Sequence, residues 1–248
     1  MNASFRAAVV VSLSIIFSTV IASWSFLSAK KLSQTVEVTG SAKKRIKSDL
    51  IIWQTSVATE APTLPEAYSK LTRDVDKVKA FLVSHGIPET QIAISAVETT
   101  PVLREKRSGY QPDAQGTSLT GAVSGYHLKQ SLSVRSSEID KITAISRQVT
   151  ELINQGILLD SEAPEYLYTR LAETKVEILA DAARDARERA KQIAVSTGGK
   201  IGDIRSASMG VLQITAADAI EVSEMGENDT KSLEKDITAV VHMTFAIQ

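Results

Sequence analysis

The stretch DAARDARERAKQIA, residues 181–194, decides how the fold is interpreted. An apolar stripe passes through it with members three or four residues apart, and alanine occupies its middle: Val176, Leu179, Ala183, Ala186, Ala190 and Ile193. This spacing predicts a long helix over about residues 171–197. Because alanine at a contact lets a helix lie close to its neighbour, the helix is expected to pack on a sheet. A coiled coil would favour leucine or isoleucine in the stripe.

The charges of this helix mix signs instead of forming a basic arm. Arg184 with Glu188 and Asp185 with Arg189 are opposite charges four residues apart, a spacing that modestly stabilises a helix. The whole chain carries 28 basic and 29 acidic residues and only 5% aromatics, which argues against nucleic acid as a partner.

Upstream of this helix, the sequence predicts a strand–helix–strand unit. Strands are expected over 35–42, 48–60 and 91–103. Thr63 and Glu66 form a capping-box pattern before the helix. The apolar face of that helix consists of Ala67, Leu71, Val75, Val78 and Leu82.

A second unit of the same kind follows. Its strands are expected over 121–136 and 163–170, with Ser137 as the helix cap. The helix face consists of Ile139, Ile142, Ile145, Val149, Leu152 and Ile153. A glycine follows each of the two helices, which indicates either an internal repeat or the chance recurrence of a common unit. With further strands over 200–214 and 236–248, the fold class is α+β, with the alanine-rich helix on an antiparallel or mixed sheet.

The N-terminal segment predicts one transmembrane helix. Residues 7–29, from Ala7 to Ala29, carry no charge, and Trp24 suits the membrane interface. A cleaved signal peptide is the alternative, but the run is long for one and Leu27 spoils the cleavage pattern. We therefore divide the chain into an anchor, 1–31, and one domain, 32–248. The basic residues after the span point that domain towards the cytoplasm by charge alone, so the sequence leaves the side of the membrane open.

Two polar segments interrupt the pattern. Residues 104–119 are expected to form a projecting loop, with Arg104, Arg107, Tyr110 and the nearby Tyr126 as candidate interface residues. Residues 218–236 hold seven acidic and two basic residues without a calcium-loop pattern, and are interpreted as a solvated acidic loop.

No catalytic motif occurs in the chain. Nucleophile elbow, zinc-protease and dinucleotide patterns are missing, and there is no cysteine. His85, His127 and His242 lie far apart, so neither a metal nor a cofactor is expected.

The order of several short motifs resembles the SIMPL domain family of the bacterial envelope. The resemblance begins at VEVTGSA (36–42) and continues through GYHLKQSLSVRSSEIDKITAISRQVTELINQGI, LAETKVEILADAARDARERAKQIA and GGKIGDI. The residues at family positions are Gly125, Tyr126, Asp140, Gly156, Ala183, Ala186, Arg189, Ala190, Lys200 and Gly202. The resemblance implies a periplasmic, membrane-anchored α+β domain, homo-oligomers in some members, and links to envelope or oxidative stress.

Three functions remain open at this point. The first is a non-enzymatic, anchored envelope protein that assembles with itself through strand edges and the 104–119 loop. The second is an anchored module that uses this loop to bind a ligand or an unidentified envelope protein. The third is a hydrolase with carboxylates that the linear sequence does not pair.

Overall fold

A computed structural model describes residues 12–25, 34–103, 123–219 and 226–248. Residues 12–25 form helix α1. The strands that follow are β1 (Thr35–Lys47), β2 (Leu50–Ala61), β3 (Ile92–Ile94), β4 (Glu98–Leu103), β5 (Val123–Ser136), β6 (Leu158–Ser161), β7 (Glu165–Leu167), β8 (Ile201–Met209), β9 (Gln213–Ala216) and β10 (Glu234–Ile247). The other α-helices are α2 (Leu64–Ser84), α3 (Ile139–Gln148) and α4 (Leu171–Ser196), and residues Glu89–Gln91 and Val149–Gln155 form 3-10 turns. The predicted α+β class is confirmed.

No helix in the described part of the chain is both long and apolar enough to cross a bilayer. The predicted span, residues 7–29, lies partly outside the described residues.

The chain forms two compact units. Unit 1 comprises Met1–Arg45, Arg170–Asn228 and Asp236–Gln248, and unit 2 comprises Ile46–Thr169 and Asp229–Lys235. Each unit is therefore built from segments that are distant in the sequence.

Unit 2 contains both strand–helix–strand units predicted from the sequence. Its sheet has the order β3-β5-β2-β6, with β4 also on β5 and β7 also on β2, and every pairing is antiparallel. Consequently β2 and β3 run parallel on either side of β5, and β5 and β6 run parallel on either side of β2. This is the split βαβ arrangement of ferredoxin-like folds.

The core of unit 2 follows the predicted helix faces. Ala67, Leu71, Val75, Val78 and Leu82 of α2 are all buried. Ile142, Ile145, Val149 and Leu152 join them around Trp53 of β2, whereas Ile153 is 51% exposed.

Three local predictions for unit 2 are wrong. Thr63 is the N-cap residue of α2 as predicted, but its side chain forms no capping hydrogen bond, and Glu138 instead of Ser137 is the N-cap residue of α3. The strand expected over 91–103 is split, because the Ser95 hydroxyl accepts a hydrogen bond from the Ser131 amide and interrupts the ladder. The strand expected over 163–170 is reduced to β7, and β6 was not predicted.

Unit 1 is an antiparallel sheet with α4 on one face. The strand order is β1-β10-β8, and β9 also pairs with β10. The strand expected over 200–214 divides into β8 and β9 at Gly210, whose amide donates to the Val240 carbonyl at 2.9 Å. Predicted strand 236–248 is β10.

The buried stripe of α4 is rich in alanine, as predicted, but its members differ from the predicted ones. The buried positions follow a strict four-residue step: Thr174, Ile178, Ala182, Ala186, Ala190 and Ala194. Val176 and Ile193, expected inside, are 71% and 42% exposed. A four-residue row is inclined to the helix axis, so a strand that crosses the helix obliquely contacts this row instead of an axial stripe.

Candidate functional site

Sheet edges are the places where this protein could pair with another chain, because an edge strand presents unpaired backbone donors and acceptors. In unit 2, the edge strand β4 contains Pro101, which has no amide hydrogen to donate. The Tyr166 amide of β7 already donates to the Thr230 carbonyl at 2.7 Å. Strands β3 and β6 have only three and four residues. These edges of unit 2 are therefore short or already blocked.

In unit 1, the edge at β1 is also obstructed. The Ser41 amide donates to Asp185 Oδ2 at 2.9 Å, so a side chain of α4 occupies a backbone donor of this strand. Lys43, Lys44 and Arg45 follow within the same strand, and charges of this kind discourage edge pairing. On the opposite side, the Ile214 amide of β9 is satisfied by the Glu227 carbonyl at 2.8 Å.

Strand β8 has two halves with different edge properties. Along 201–205 its register against β10 shifts twice, and this half carries Asp203 and Arg205. Along 206–209 the register is regular, from Ser206 opposite Thr244 to Met209 opposite Val241, and no residue is charged. Bulges and charges protect an edge, so the regular half, 206–209, is the unprotected segment. We call this segment the β8 edge.

The direction of the backbone amides along the β8 edge follows from one hydrogen bond. The Gly210 amide donates to the Val240 carbonyl, so Gly210 and Val240 form a hydrogen-bonded pair. Because these pairs alternate with non-hydrogen-bonded pairs in an antiparallel ladder, Ser206 and Ser208 also point their amides towards β10. The amides of Ala207 and Met209 consequently point away from β10.

The side chains near this edge are exposed. Met209 is 61% exposed and the adjoining Val211 is 53% exposed. Ser206 and Ser208 lie on the sheet face opposite to α4, beside His242, whose Nδ1 is 3.0 Å from the Thr39 hydroxyl. The β8 edge thus combines uncharged side chains with backbone amides that bond to no residue of the described part of the chain.

The basic stretch of β1 has a carboxylate partner for each residue. Asp236, 1% exposed, lies 2.8 Å from Lys43 Nζ and 2.9 Å from Arg45 Nε, and it also accepts a hydrogen bond from the Asp218 amide. Asp218, at a φ of +64°, pairs with Arg45, and Lys44 pairs with Glu177 at 2.6 Å. The interpretation of 218–236 as a solvated loop is therefore wrong at Asp236, which is buried because β10 begins before it and β1 supplies two cations.

Acidification is expected to destabilise the protein through Asp236. Hydrogen bonds from Arg45, opposed by desolvation and assisted by Lys43 and the Asp218 amide, hold the pKa of Asp236 far below its ordinary value of 3.8. A carboxyl whose pKa is lower in the folded state stabilises that state fully above its unfolded pKa, and this contribution is lost as the pH falls through the folded pKa.

The measurement is urea denaturation at a series of pH values, with Asp236→Asn as the reference. The stability difference between wild type and variant should be constant at neutral pH and shrink progressively below about pH 4. A difference that does not change down to the acid limit of folding would contradict this role of Asp236.

The structure does not bring the residues predicted for an interface together at one described site. Arg104, Arg107 and Tyr110, with the loop 104–119, lie outside the described residues. Tyr126 is half-buried on β5 and packs against the core of unit 2. Trp24, from the predicted span, is 73% exposed on α1. Among the residues that the structure describes, no three His, Asp or Glu side chains converge in a way that could hold a metal ion.

The β8 edge is not among the interface residues that the sequence predicts. The only signal was the uncharged run Ser206–Met209 after Asp203 and Arg205, and it gained meaning once the strand order placed β8 at the border of a sheet.

Comparison with known families gives one match. The SIMPL family model, described as a protein of unknown function (DUF541), matches residues 36–245. No curated protein matches the chain.

Proposed function

Because the chain belongs to the SIMPL family, a family without an assigned activity, we propose a function from its geometry: a non-enzymatic, membrane-anchored protein of the bacterial envelope that assembles with copies of itself through the β8 edge. The observation that carries this proposal is the regular, uncharged segment 206–209, which among the described residues pairs with β10 alone. A link to envelope or oxidative stress stays a prediction from the family resemblance.

The outward amides select one register for pairing between two copies. If Ser208 faces Ser208 of the second copy, Ala207 faces the second copy's Met209, and the reverse. Both of these pairs then exchange two hydrogen bonds, four in total. Registers centred on Ala207 or on Met209 would use the bulged residue 205 or residue 211 beyond the strand, and would form fewer regular bonds. The favoured dimer is therefore isologous, with its two-fold axis at Ser208.

Side-chain sizes suit this register. Met209 and Ala207 lie on the face of the sheet that α4 covers, so each Met209 would lie over the alanine of the other copy. On the opposite face, serine meets serine at position 208 and Ser206 meets Gly210. No like charges are brought together, and the exposed methionines gain apolar contact.

Helix α1 supports the anchor. Its large side chains, among them Phe17 and Trp24 at 70% and 73% exposure, have no apolar cover within the described residues. The uncharged run around it extends over residues 7–29 in the sequence. Burial of these side chains in the hydrocarbon core of a bilayer would remove them from water, which is favourable.

Placing the domain in the periplasm rests on the family resemblance. By charge alone, Lys30, Lys31, Lys43, Lys44 and Arg45, which follow the uncharged run, favour the cytoplasmic side.

A single cysteine at position 208 is expected to cross-link two copies. The chain has no cysteine, so Ser208→Cys introduces one thiol into the full-length protein. In the proposed register the two Cα atoms at 208 are about 4.5 Å apart, a separation that a disulfide can span. Mild oxidation in membranes should convert most of the chain to a covalent dimer on a non-reducing gel.

Ser206→Cys is the matched control, on the same strand and the same sheet face. In that register its two copies are separated by at least four residues of strand, about 13 Å, which a disulfide does not reach. Equal cross-linking by both variants, or none by Ser208→Cys, would refute pairing through the β8 edge. The mass of residues 32–248 in light scattering then tells whether assembly needs the anchor.

A further inference from the structure

A groove runs between α4 and the bulged half of β8, within unit 1. Ala183 of α4, Ile204 of β8, and Met243 and Phe245 of β10 line its floor. Phe245 is buried, but Ile204 is 50% exposed, so apolar surface remains open to solvent. The groove encloses about 460 Å³, within the usual range for small-molecule sites.

The bulges of β8 shape this groove. Between Ile201 and Ile204, β8 uses one more residue than β10 does from Ile247 to Phe245, and a second extra residue follows before Ser206. Bulges bend a strand and redirect its side chains, and they are frequent beside binding sites. The proposed pairing forms its hydrogen bonds at Ala207 and Met209, and neither residue lines the groove.

Two guanidinium groups stand on the helix side of the groove. Arg184 forms a salt bridge with Asp181 at 2.9 Å. Arg187 forms no salt bridge with a carboxylate of the described residues. Asp203, on the strand side, disfavours an anion at that wall. Positive charge at one rim above an apolar floor matches a ligand with one anionic end and one apolar end.

We propose that this groove binds an amphiphilic anion, with the carboxylate or phosphate at Arg187 and Arg184 and the apolar tail along Ile204 and Phe245. Charge complementarity selects the anionic end, since guanidinium groups bind such oxyanions by paired hydrogen bonds. The open apolar floor selects the tail, because its burial is favourable.

The probe is octanoate, titrated into the full-length chain in nanodiscs of zwitterionic lipid and followed by ligand-detected NMR. Signals from empty nanodiscs are subtracted to remove partitioning into lipid. For a ligand of this size we expect saturable binding with a Kd on the order of 1 mM, and clearly weaker binding of 1-octanol and of acetate. Octyl phosphate then distinguishes a phosphate preference from a carboxylate preference.

Arg187→Gln is expected to weaken octanoate binding about twofold to fivefold, the range for a solvent-exposed charge pair. Lys70→Gln, on α2 of unit 2, removes the same charge from a residue that does not line the groove and should leave the Kd unchanged. Equal losses in the two variants, equal binding of octanoate and 1-octanol, or no saturable signal above empty nanodiscs would each overturn the proposal.

Discussion

Replacing Gly40 by alanine is expected to destabilise the protein by at least about 3 kcal/mol, the upper range for overpacking a core. A methyl group at Gly40 would lie 2.6 Å from the Ala186 Cβ, and still closer to the Ala182 carbonyl oxygen and the Ala186 amide nitrogen. These are largely backbone atoms of α4, so they do not yield by a rotamer change. The helix would have to move away from β1, which opens the contacts of its whole buried row.

Gly210→Ala is the control for this prediction. Its added methyl group would meet its nearest atom, the Val240 carbonyl oxygen, at 3.4 Å, an ordinary contact. We expect a change within about 0.5 kcal/mol for Gly210→Ala in urea denaturation followed by circular dichroism. A Gly40→Ala variant as stable as the control would show that α4 does not lie as close to β1 as described.

Asp236→Asn is expected to cost about 1–3 kcal/mol of stability at pH 7. The carboxylate accepts charged hydrogen bonds from Arg45 and Lys43, which typically contribute 1.5–3 kcal/mol, and the amide retains the shape but not the charge. Arg45 and Lys43 are about half exposed, so water can rehydrate them in the variant and moderate the loss.

Asp181→Asn is the matched control, because Asp181 pairs with Arg184 at 2.9 Å on the exposed side of α4. Surface pairs of this kind contribute about 0–1 kcal/mol, so its urea midpoint should change little. If both variants lost the same free energy, the buried position of Asp236 would have no special importance for the fold.

Periodicity predicted most of the elements because it is a local property of the chain. The faces of α2 and α3 and the bounds of α4 needed only the spacing of apolar residues over neighbouring turns. Helix capping was harder to predict, since Thr63 and Ser137 have suitable side chains but form no capping hydrogen bond. A cap depends on the entry angle of the chain, and tertiary packing determines that angle.

The candidate site was less predictable than the fold. Composition predicts interface residues in the 104–119 loop, and the alternation of side chains predicts a single strand over 200–214. Whether a strand is central or at an edge depends on its neighbours in the sheet, which come from distant segments. The pairing of Ser208 with His242, on a strand that begins 25 residues after β8 ends, is the kind of contact that determines whether β8 is central or at an edge.

By itself, the sequence determined the α+β class, the alanine-rich inner face of α4, the family and the uncharged N-terminal run, because each depends on composition or on local periodicity. Only the tertiary structure decided which residues of α4 face the sheet, that Asp236 is buried between Lys43 and Arg45, and that 206–209 lies at an unprotected edge. These features arise where segments separated by tens to hundreds of residues meet. Their free energies depend on distances and burial that no local pattern contains.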